Sequence, residues 1–335
     1  MRRRLPRVLA AASLALGFGA ADRAAAQTAA ADPAAIWTIQ DENASISAAA
    51  LTDRYYVNGL RLGWTSPTGA APGLAADLGR AIWGDGKLRI SFDLTQQMYT
   101  PAATGTDHPP QGDRPYAGVL LGNFGLTQDT PTTRSTLVLG LGVVGPAALG
   151  EQVQNGVHDL IGQAHTHGWG TQLGNEPAIE ITSGRVWRLD TGRLGGLETQ
   201  ALPDLEAGIG TVRNYALGGL TMRIGQGLGS DFGAPRLRPG LTGGDVFQPT
   251  RPFAWYVFAG VDGQGVAQDV TLNGSLFQSS RRVKLVPFVA EAQLGFAVMA
   301  FGARLTYTQV FQTTEFRHQK GGLHELGSLA LSMRF

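Results

Sequence analysis

Two side chains in the middle of the chain, Gln154 and His158, have the types and the spacing that could carry proton-transfer chemistry. They belong to a polar segment, residues 151–177, between two strand-like regions. On a helix, residues four apart lie one above the other, so the amide and the imidazole would face one spot. An imidazole accepts a proton near neutral pH, and a neighbouring amide can fix its orientation. The pair therefore predicts activation of a water molecule; a solvated or structurally satisfied histidine is the alternative.

The element that must position this pair is a predicted helix from Ala147 to about His165. Gly and Pro fall at its ends, as expected where a helix starts and stops. We expect one apolar face of this helix to pack on the rest of the protein. That face consists of residues at helical spacing: Leu149, Val153, Val157, Leu160 and Ile161.

The first 26 residues have the pattern of a signal peptide. Basic residues at positions 2–7 precede an apolar run, Val8 to Ala21, and then the small residues 24–26. The run is too short to cross a membrane as a helix. Removal of residues 1–26 turns the formal net charge of +1 negative, which argues against a nucleic-acid partner. The absence of cysteine excludes a disulfide framework in an exported chain.

After a linker over residues 27–34, a single domain over 35–335 shows strand-like alternation of polar and apolar residues. Lys87 to Gln97 is the clearest case, with Leu88, Ile90, Phe92 and Leu94 on one face and charged or polar residues on the other. Twelve strands are predicted: 35–46, 56–66, 86–98, 117–127, 134–144, 178–189, 203–213, 216–225, 252–262, 284–295, 298–310 and 326–335.

A soluble β-sandwich would also alternate, but three features favour a membrane barrel. The strands are about ten residues long, as spanning strands must be. Their polar faces carry full charges: Arg89, Asp93, Arg223, Glu291 and Arg304. Aromatic residues near strand ends are typical of an interfacial girdle: Tyr99, Trp187, Trp255 and Tyr307. The predicted fold is all-β: a transmembrane, antiparallel, up-and-down β-barrel of about 12 strands with a short helix in a long extracellular loop.

Four connections test this prediction. A turn near Ala297 and the segment Gln128 to Thr133 are short, as expected on the periplasmic side. The connection at Asn214 is tight for the outer side, and residues 226–251 are long for a periplasmic loop. A strand could therefore be misplaced near 226–251.

Four blocks of sequence resemble one family over essentially the whole mature chain. They are residues 42–45 (ENAS); residues 52–61 (TDRYYVNGLR) with Trp64; Tyr99-Thr100-Pro101 followed by residues 113–118 (DRPYAG); and Gln154 to His158 with Gly168-Trp169 and residues 172–177 (QLGNEP). Together they are similar to the outer-membrane lipid A 3′-O-deacylase family, the LpxR type.

The resemblance implies an exported outer-membrane enzyme that hydrolyses the 3′ acyloxyacyl ester of lipid A, within lipopolysaccharide, with calcium as cofactor. Its active site would lie between the barrel wall and a surface helix, at the level of the outer leaflet. The residues it implies are His158, Gln154 and Asn43 as catalytic groups; Arg114, Trp169 and Gln172 as substrate-binding groups; and Asn43, Asp41 and Glu176 as metal ligands.

Two positions depart from the family pattern. Ala44 stands where the family has an acidic residue, and a methyl group cannot coordinate calcium. Asp41 or Glu42 could substitute if the register shifts by an even number of residues. Val57 replaces an expected Thr. Two alternatives therefore stay open: a catalytically impaired barrel that acts as a structural or lipopolysaccharide-binding protein, and a passive channel.

Overall fold

The computed structural model describes residues 31–48, 54–237 and 244–335. The predicted signal peptide, the first part of the linker and the block residues Thr52 and Asp53 lie outside these ranges. Within them, no helix has the length and apolarity needed to cross a membrane. The described elements are β1 (Ile36–Asn43), β2 (Tyr55–Thr65), α1 (Gly73–Trp83), β3 (Lys87–Thr100), β4 (Ala117–Asp129), β5 (Thr133–Val144), α2 (Gly150–Ile161), β6 (Glu176–Trp187), β7 (Leu189–Leu194), β8 (Leu197–Gly210), β9 (Arg213–Gln226), β10 (Phe253–Asp269), α3 (Val270–Asn273), β11 (Phe288–Ala300), β12 (Ala303–Gln312) and β13 (His324–Arg334).

Twelve of these strands close into an antiparallel barrel, which confirms the predicted fold. Among these twelve, consecutive strands pair with each other, with β8 following β6. The pairing of β1 with β13 joins the first strand to the last. The short strand β7 pairs only with the first residues of β8 and extends the sheet beyond the barrel as a hairpin. This hairpin was not predicted, and neither was helix α1 between β2 and β3.

The two faces of the barrel wall differ as the alternation predicts. Charged side chains such as Arg89, Asp93 and Arg304 point into the lumen and are buried. Outward-facing side chains such as Leu62 and Phe92 are apolar and exposed. One predicted girdle residue is wrong: Tyr99 is buried, and its hydroxyl donates to Gln97 Oε1 on the lumen side. Tyr99 continues the inward row of Thr95 and Gln97 on β3, so the alternation itself places it in the lumen.

The two ends of the barrel have different connections. At the end where β1 begins and β13 ends, β4–β5 and β11–β12 are joined by short turns; we call this the terminal end. The opposite end, the loop end, carries the connections 101–116, 145–175, 270–287 and 313–323. The tight connection predicted near Asn214 is confirmed at the loop end, where only residues 211–212 join β8 to β9.

The turn predicted near Ala297 lies later in the chain. Strand β11 continues to Ala300, which pairs with Ala303, and the turn is Phe301–Gly302 with φ of 54° and 77°. Residues 294–303 contain no polar side chain, so the alternation is lost there and did not mark this turn. The glycine at position 302, which adopts positive φ at little cost, was the local signal.

The described residues between β9 and β10 contain no strand, and they enter the lumen from the terminal end. We call these residues, 227–237 and 244–252, the plug. Arg61 on β2 forms a buried ion pair with Asp245 at 2.6 Å. The backbone N–H of Leu237 donates to Glu42 Oε1 at 2.9 Å. The plug therefore provides partners for charged side chains in the lumen, which a short turn could not reach.

Candidate active site

Helix α2 packs on the outward face of the barrel near the loop end. Gln96 on β3 donates from Nε2 to the Ala148 carbonyl at 2.6 Å, just before the helix. A Cβ placed on Gly118 of β4 would lie 3.1 Å from Ala148 Cβ and 3.4 Å from Gly150 N. The glycine at position 118 therefore lets the start of the helix approach the wall closely.

The orientation of α2 is opposite to the one predicted. Its buried side chains are polar, Gln154 and His158, and face the barrel together with Gly150. Four of the five residues of the predicted packing face are exposed, including Leu160 at 86% and Val157 at 45%; only Val153 is partly buried. An outer surface that contacts acyl chains favours apolar side chains outside, so the usual inward placement is reversed. The helix also ends earlier than predicted, at Ile161, because Gly162 takes a left-handed conformation.

A backbone carbonyl determines which nitrogen of His158 can accept a proton. The Nδ1 atom of His158 lies 2.7 Å from the carbonyl oxygen of Ala164. A carbonyl oxygen only accepts hydrogen bonds, so Nδ1 carries the proton and Nε2 is the basic nitrogen of the neutral ring. This arrangement orients the imidazole as a general base.

Gln154 is held by two donors from the segment that follows the helix. Its Oε1 accepts from Trp169 Nε1 at 2.9 Å and from Thr166 Oγ1 at 3.2 Å. These donors identify Oε1 as the acceptor end of the amide, so the –NH₂ group points away from Trp169. The amide orientation beside His158 is therefore set by buried hydrogen bonds.

Trp169 belongs to an apolar cluster under the helix. It is 0% exposed, and its ring centroid lies 4.9 Å from that of Tyr116. Val57 and Met98, on the outward face of the wall, complete the cluster, and Val153 of α2 packs against it. The residue predicted to bind substrate is thus a buried support that connects the helix to the wall.

The strand register places two of the three predicted metal ligands, Asn43 and Asp41, on the same outward face. Asn43, Asn58, Met98 and Gly118 are paired in sequence across β1 to β4. Neighbouring strands are about 4.8 Å apart, so this row spans roughly 14 Å from Asn43 to the packing site of α2. Next to it, Asp41 Oδ1 accepts from Asn58 Nδ2 at 2.7 Å.

Comparison with known proteins identifies the family of this chain. The profile of the family described as "Outer membrane protein LpxR" matches residues 9–335. The chain belongs to the LpxR family. LpxR from Salmonella typhimurium has the same fold, with a TM-score of 0.72 and 20% identity, covering 90% of this chain and 100% of that chain. The β domain of the Bordetella autotransporter BrkA matches with a TM-score of 0.37 and 14% identity, covering 91% of this chain and 99% of that chain. No curated protein matches.

Membership of the LpxR family identifies the chain as an outer-membrane barrel and sets its orientation. Barrels of this membrane have short periplasmic turns and longer extracellular loops. The loop end therefore faces the cell exterior, and α2 lies against the wall near that end.

The donors described around Asn43 do not fit a resident calcium ion. Calcium takes six to eight oxygen ligands. Asn43 Oδ1 already accepts from both the N–H and the hydroxyl of Ser45, at 2.7 and 2.6 Å. Ala44 supplies a buried methyl group. Within the described residues no three His, Cys, Asp or Glu side chains are arranged to hold a metal.

Two predicted site residues lie on the lumen side of the wall, away from His158. Glu176 is on the inward face of β6, and its Oε2 accepts from the N–H of Leu276 at 3.0 Å. Arg114 is buried, pairs with Glu315 at 3.2 Å and stacks over Tyr99. Glu176 is separated from Asp41 and Asn43 by four strands, so the structure does not bring the three predicted metal ligands together.

Gln172, the remaining predicted substrate-binding residue, is half-buried after the turn that carries Trp169. Its Oε1 is buried and has no hydrogen-bond partner within the described residues. This buried acceptor requires a donor that the described residues do not supply, so Gln172 stays a candidate for substrate contact.

Sequence reasoning missed three contributors to the site. Asn58 was quoted in the resemblance but given no role, although it donates to Asp41 and its Oδ1 is buried without a partner in the described residues. Thr166 and the carbonyl of Ala164 act on Gln154 and His158 through contacts between segments. Only Asn58 had a signal, since alternation places it on the same face as Leu60 and Leu62.

Proposed function

We propose that this chain is an outer-membrane ester hydrolase that removes the 3′-linked acyloxyacyl chain of lipid A, with His158 as the general base. One observation carries the proposal. A buried imidazole with its tautomer set by Ala164 lies beside the oriented amide of Gln154, on the wall-facing side of a helix whose other side is apolar. The acyl chains of the substrate can reach His158 laterally from the outer leaflet of the membrane.

The reaction uses protein groups and water. Nε2 of His158 takes a proton from water as the water oxygen forms a bond to the ester carbonyl carbon. Collapse of the tetrahedral intermediate breaks the bond between that carbon and the sugar oxygen, and the imidazolium returns its proton to this oxygen. The –NH₂ group of Gln154, one helical turn away, is the neighbouring donor for the oxyanion. The products are a fatty acid and a sugar hydroxyl.

A second candidate is a lipopolysaccharide-binding barrel that has lost catalysis. It is favoured by two apolar residues, Ala44 and Val57, at positions where the family resemblance predicts side chains that contain oxygen. Ala44 is buried, and Val57 packs in the apolar cluster with Met98 and Trp169. Neither position can hold a metal, so an enzyme that depends on calcium at this place would be inactive here.

The mass spectrum of lipid A from cells that express the protein tests the first proposal. We expect loss of the 3′ acyloxyacyl group with the wild type, full retention with His158→Ala, and loss again with His165→Ala. His165 is a matched control because it is in the same loop, is exposed, and bonds only to Asp159 among the contacts described. Heat-modifiable migration on gels confirms that each variant is folded.

An unchanged lipid A spectrum with abundant folded wild type would exclude the hydrolase. The second candidate is then tested by Ala44→Asp, which should create calcium-dependent hydrolysis; continued inactivity with retained lipopolysaccharide binding would show that more than this position has been lost. Assays of the wild type with calcium and with a chelator test the predicted cofactor directly. Equal rates in both would contradict it.

A further inference from the structure

The extracellular connection between β10 and β11 is folded on itself around a pocket. The N–H of Ser275 donates to Ser280 Oγ at 2.8 Å, and the N–H of Val283 donates to the Leu272 carbonyl at 2.7 Å. Gly274 has φ of 82°, and a Cβ there would lie 2.6 Å from Ser280 Oγ. A glycine is therefore required for this closure.

Neighbouring segments hold the same loop in place. Glu176 Oε2 accepts from the N–H of Leu276 at 3.0 Å. Gln278 Nε2 donates to the Asn175 carbonyl at 3.2 Å, and Arg281 Nη2 donates to the Pro110 carbonyl at 2.7 Å. The loop is thus preformed, which lowers the entropic cost of binding a ligand.

The pocket in this loop has a volume of about 390 Å³, within the range of small-ligand sites. Its polar lining consists of hydroxyls, amides and one guanidinium: Asn273, Ser275, Gln278, Ser279, Ser280 and Arg282. Ser275 Oγ is buried and has no hydrogen-bond partner within the described residues. Phe277, also in the lining, is 65% exposed and offers an apolar ring face.

The surroundings of the pocket are positively charged. Lys284 follows Arg282 closely, and the N–H of Arg317 donates to the Lys284 carbonyl at 2.9 Å, which brings a second cationic loop alongside. Residues 270–287 and 313–323 contain one acidic residue, Glu315, and it is buried in its ion pair with Arg114. The carboxylate of Glu176, which accepts from the N–H of Leu276, is also buried, so the exposed charges around the pocket are those of Arg282 and Lys284. An anionic ligand is therefore favoured over a cationic or neutral one.

We propose that this pocket binds a phosphorylated sugar of the glycolipid that covers the cell surface. Arg282 contacts the phosphate, since a guanidinium matches phosphate oxygens in a bidentate manner. The hydroxyls and amides of the lining bond to sugar hydroxyls, and the ring of Phe277 covers the C–H face of the sugar. This site is separate from His158 and does not depend on the proposed hydrolysis.

The test measures binding to the full chain in detergent micelles. The probes are the deacylated, phosphorylated saccharide of lipopolysaccharide, the same saccharide after phosphatase treatment, and inorganic phosphate. We expect the phosphorylated saccharide to bind, and Arg282→Gln to weaken it about tenfold, as loss of a charge-assisted hydrogen bond does. Arg193→Gln is the matched control, because Arg193 is exposed on the hairpin at the opposite end.

Each probe has an outcome that contradicts the proposal. Equal binding of the phosphatase-treated saccharide would remove the role of the phosphate. Inorganic phosphate that competes as strongly as the saccharide would show a free-anion site, and unaltered saccharide binding by Phe277→Ala would remove the ring contact. Equal weakening by Arg193→Gln would reveal non-specific charge attraction. His158→Ala should bind normally, so a failed hydrolase does not affect this result.

Discussion

Replacement of Arg236 by methionine should release the plug from the barrel wall. The Arg236 guanidinium donates through Nη1 to Asp262 Oδ2 at 2.8 Å and through Nη2 to Glu291 Oε2. Asp262 is on β10 and Glu291 is on β11, and both are buried. Methionine fills a similar length of space but removes the cation, so both carboxylates stay buried without it.

The cost of this change can be worked from the two ion pairs. Removal of one partner of a buried pair costs about 3–5 kcal/mol, because the remaining charge is uncompensated. Glu291 keeps hydrogen bonds from Gln264 and Gln312, which argues for the lower end of this range. For a chain of this size, such a loss lowers the unfolding temperature by roughly 10 °C.

The assay follows the temperature at which the SDS-resistant folded band disappears from gels, together with single-channel recordings in planar bilayers. We expect Arg236→Met to lower that temperature and to produce conductance steps that the wild type lacks. Arg193→Met, at an exposed position, should leave both unchanged. An Arg236→Met variant with the melting temperature and the silent recordings of the wild type would refute the reasoning that the plug is held by this cation.

Three further predictions concern contacts around the site. Gly150→Ala should loosen α2 despite the better helix propensity of Ala, worth about 1 kcal/mol, because the new Cβ would lie 2.7 Å from the Trp169 ring; unaltered protease resistance of the helix would contradict this. Trp169→Phe deletes the donor to Gln154 and should slow lipid A hydrolysis roughly tenfold at unchanged folding; wild-type rates would exclude a positioning role. Arg114→Met should expose the loop that carries Glu315 to trypsin, and equal digestion would show that their ion pair is dispensable.

The strands of the barrel were predictable because alternation is a local property. In β3, Phe92 and Leu94 point outward while Arg89 and Asp93 point inward, and no knowledge of other strands was needed. Membrane strands make this signal clear, since one face meets lipid and the other a polar interior.

The orientation of α2 could not be read in the same way. An apolar stripe with Val157 and Leu160 ordinarily marks the packed face of a helix. Here the medium outside is apolar too, so the stripe is exposed and the polar pair Gln154 and His158 is buried. The sequence shows the apolar stripe of α2. Whether this stripe faces protein or lipid depends on where the helix lies against the barrel.

The sequence by itself determined that this chain is an exported, twelve-stranded barrel and that Gln154 and His158 share one helix face, because periods of two and 3.6 residues are set by the backbone. Only the tertiary structure decided that the plug enters the lumen, that Glu176 is remote from Asp41, and that the Ala164 carbonyl sets the tautomer of His158. These features depend on strand register and on contacts between segments distant in sequence, which no local pattern encodes.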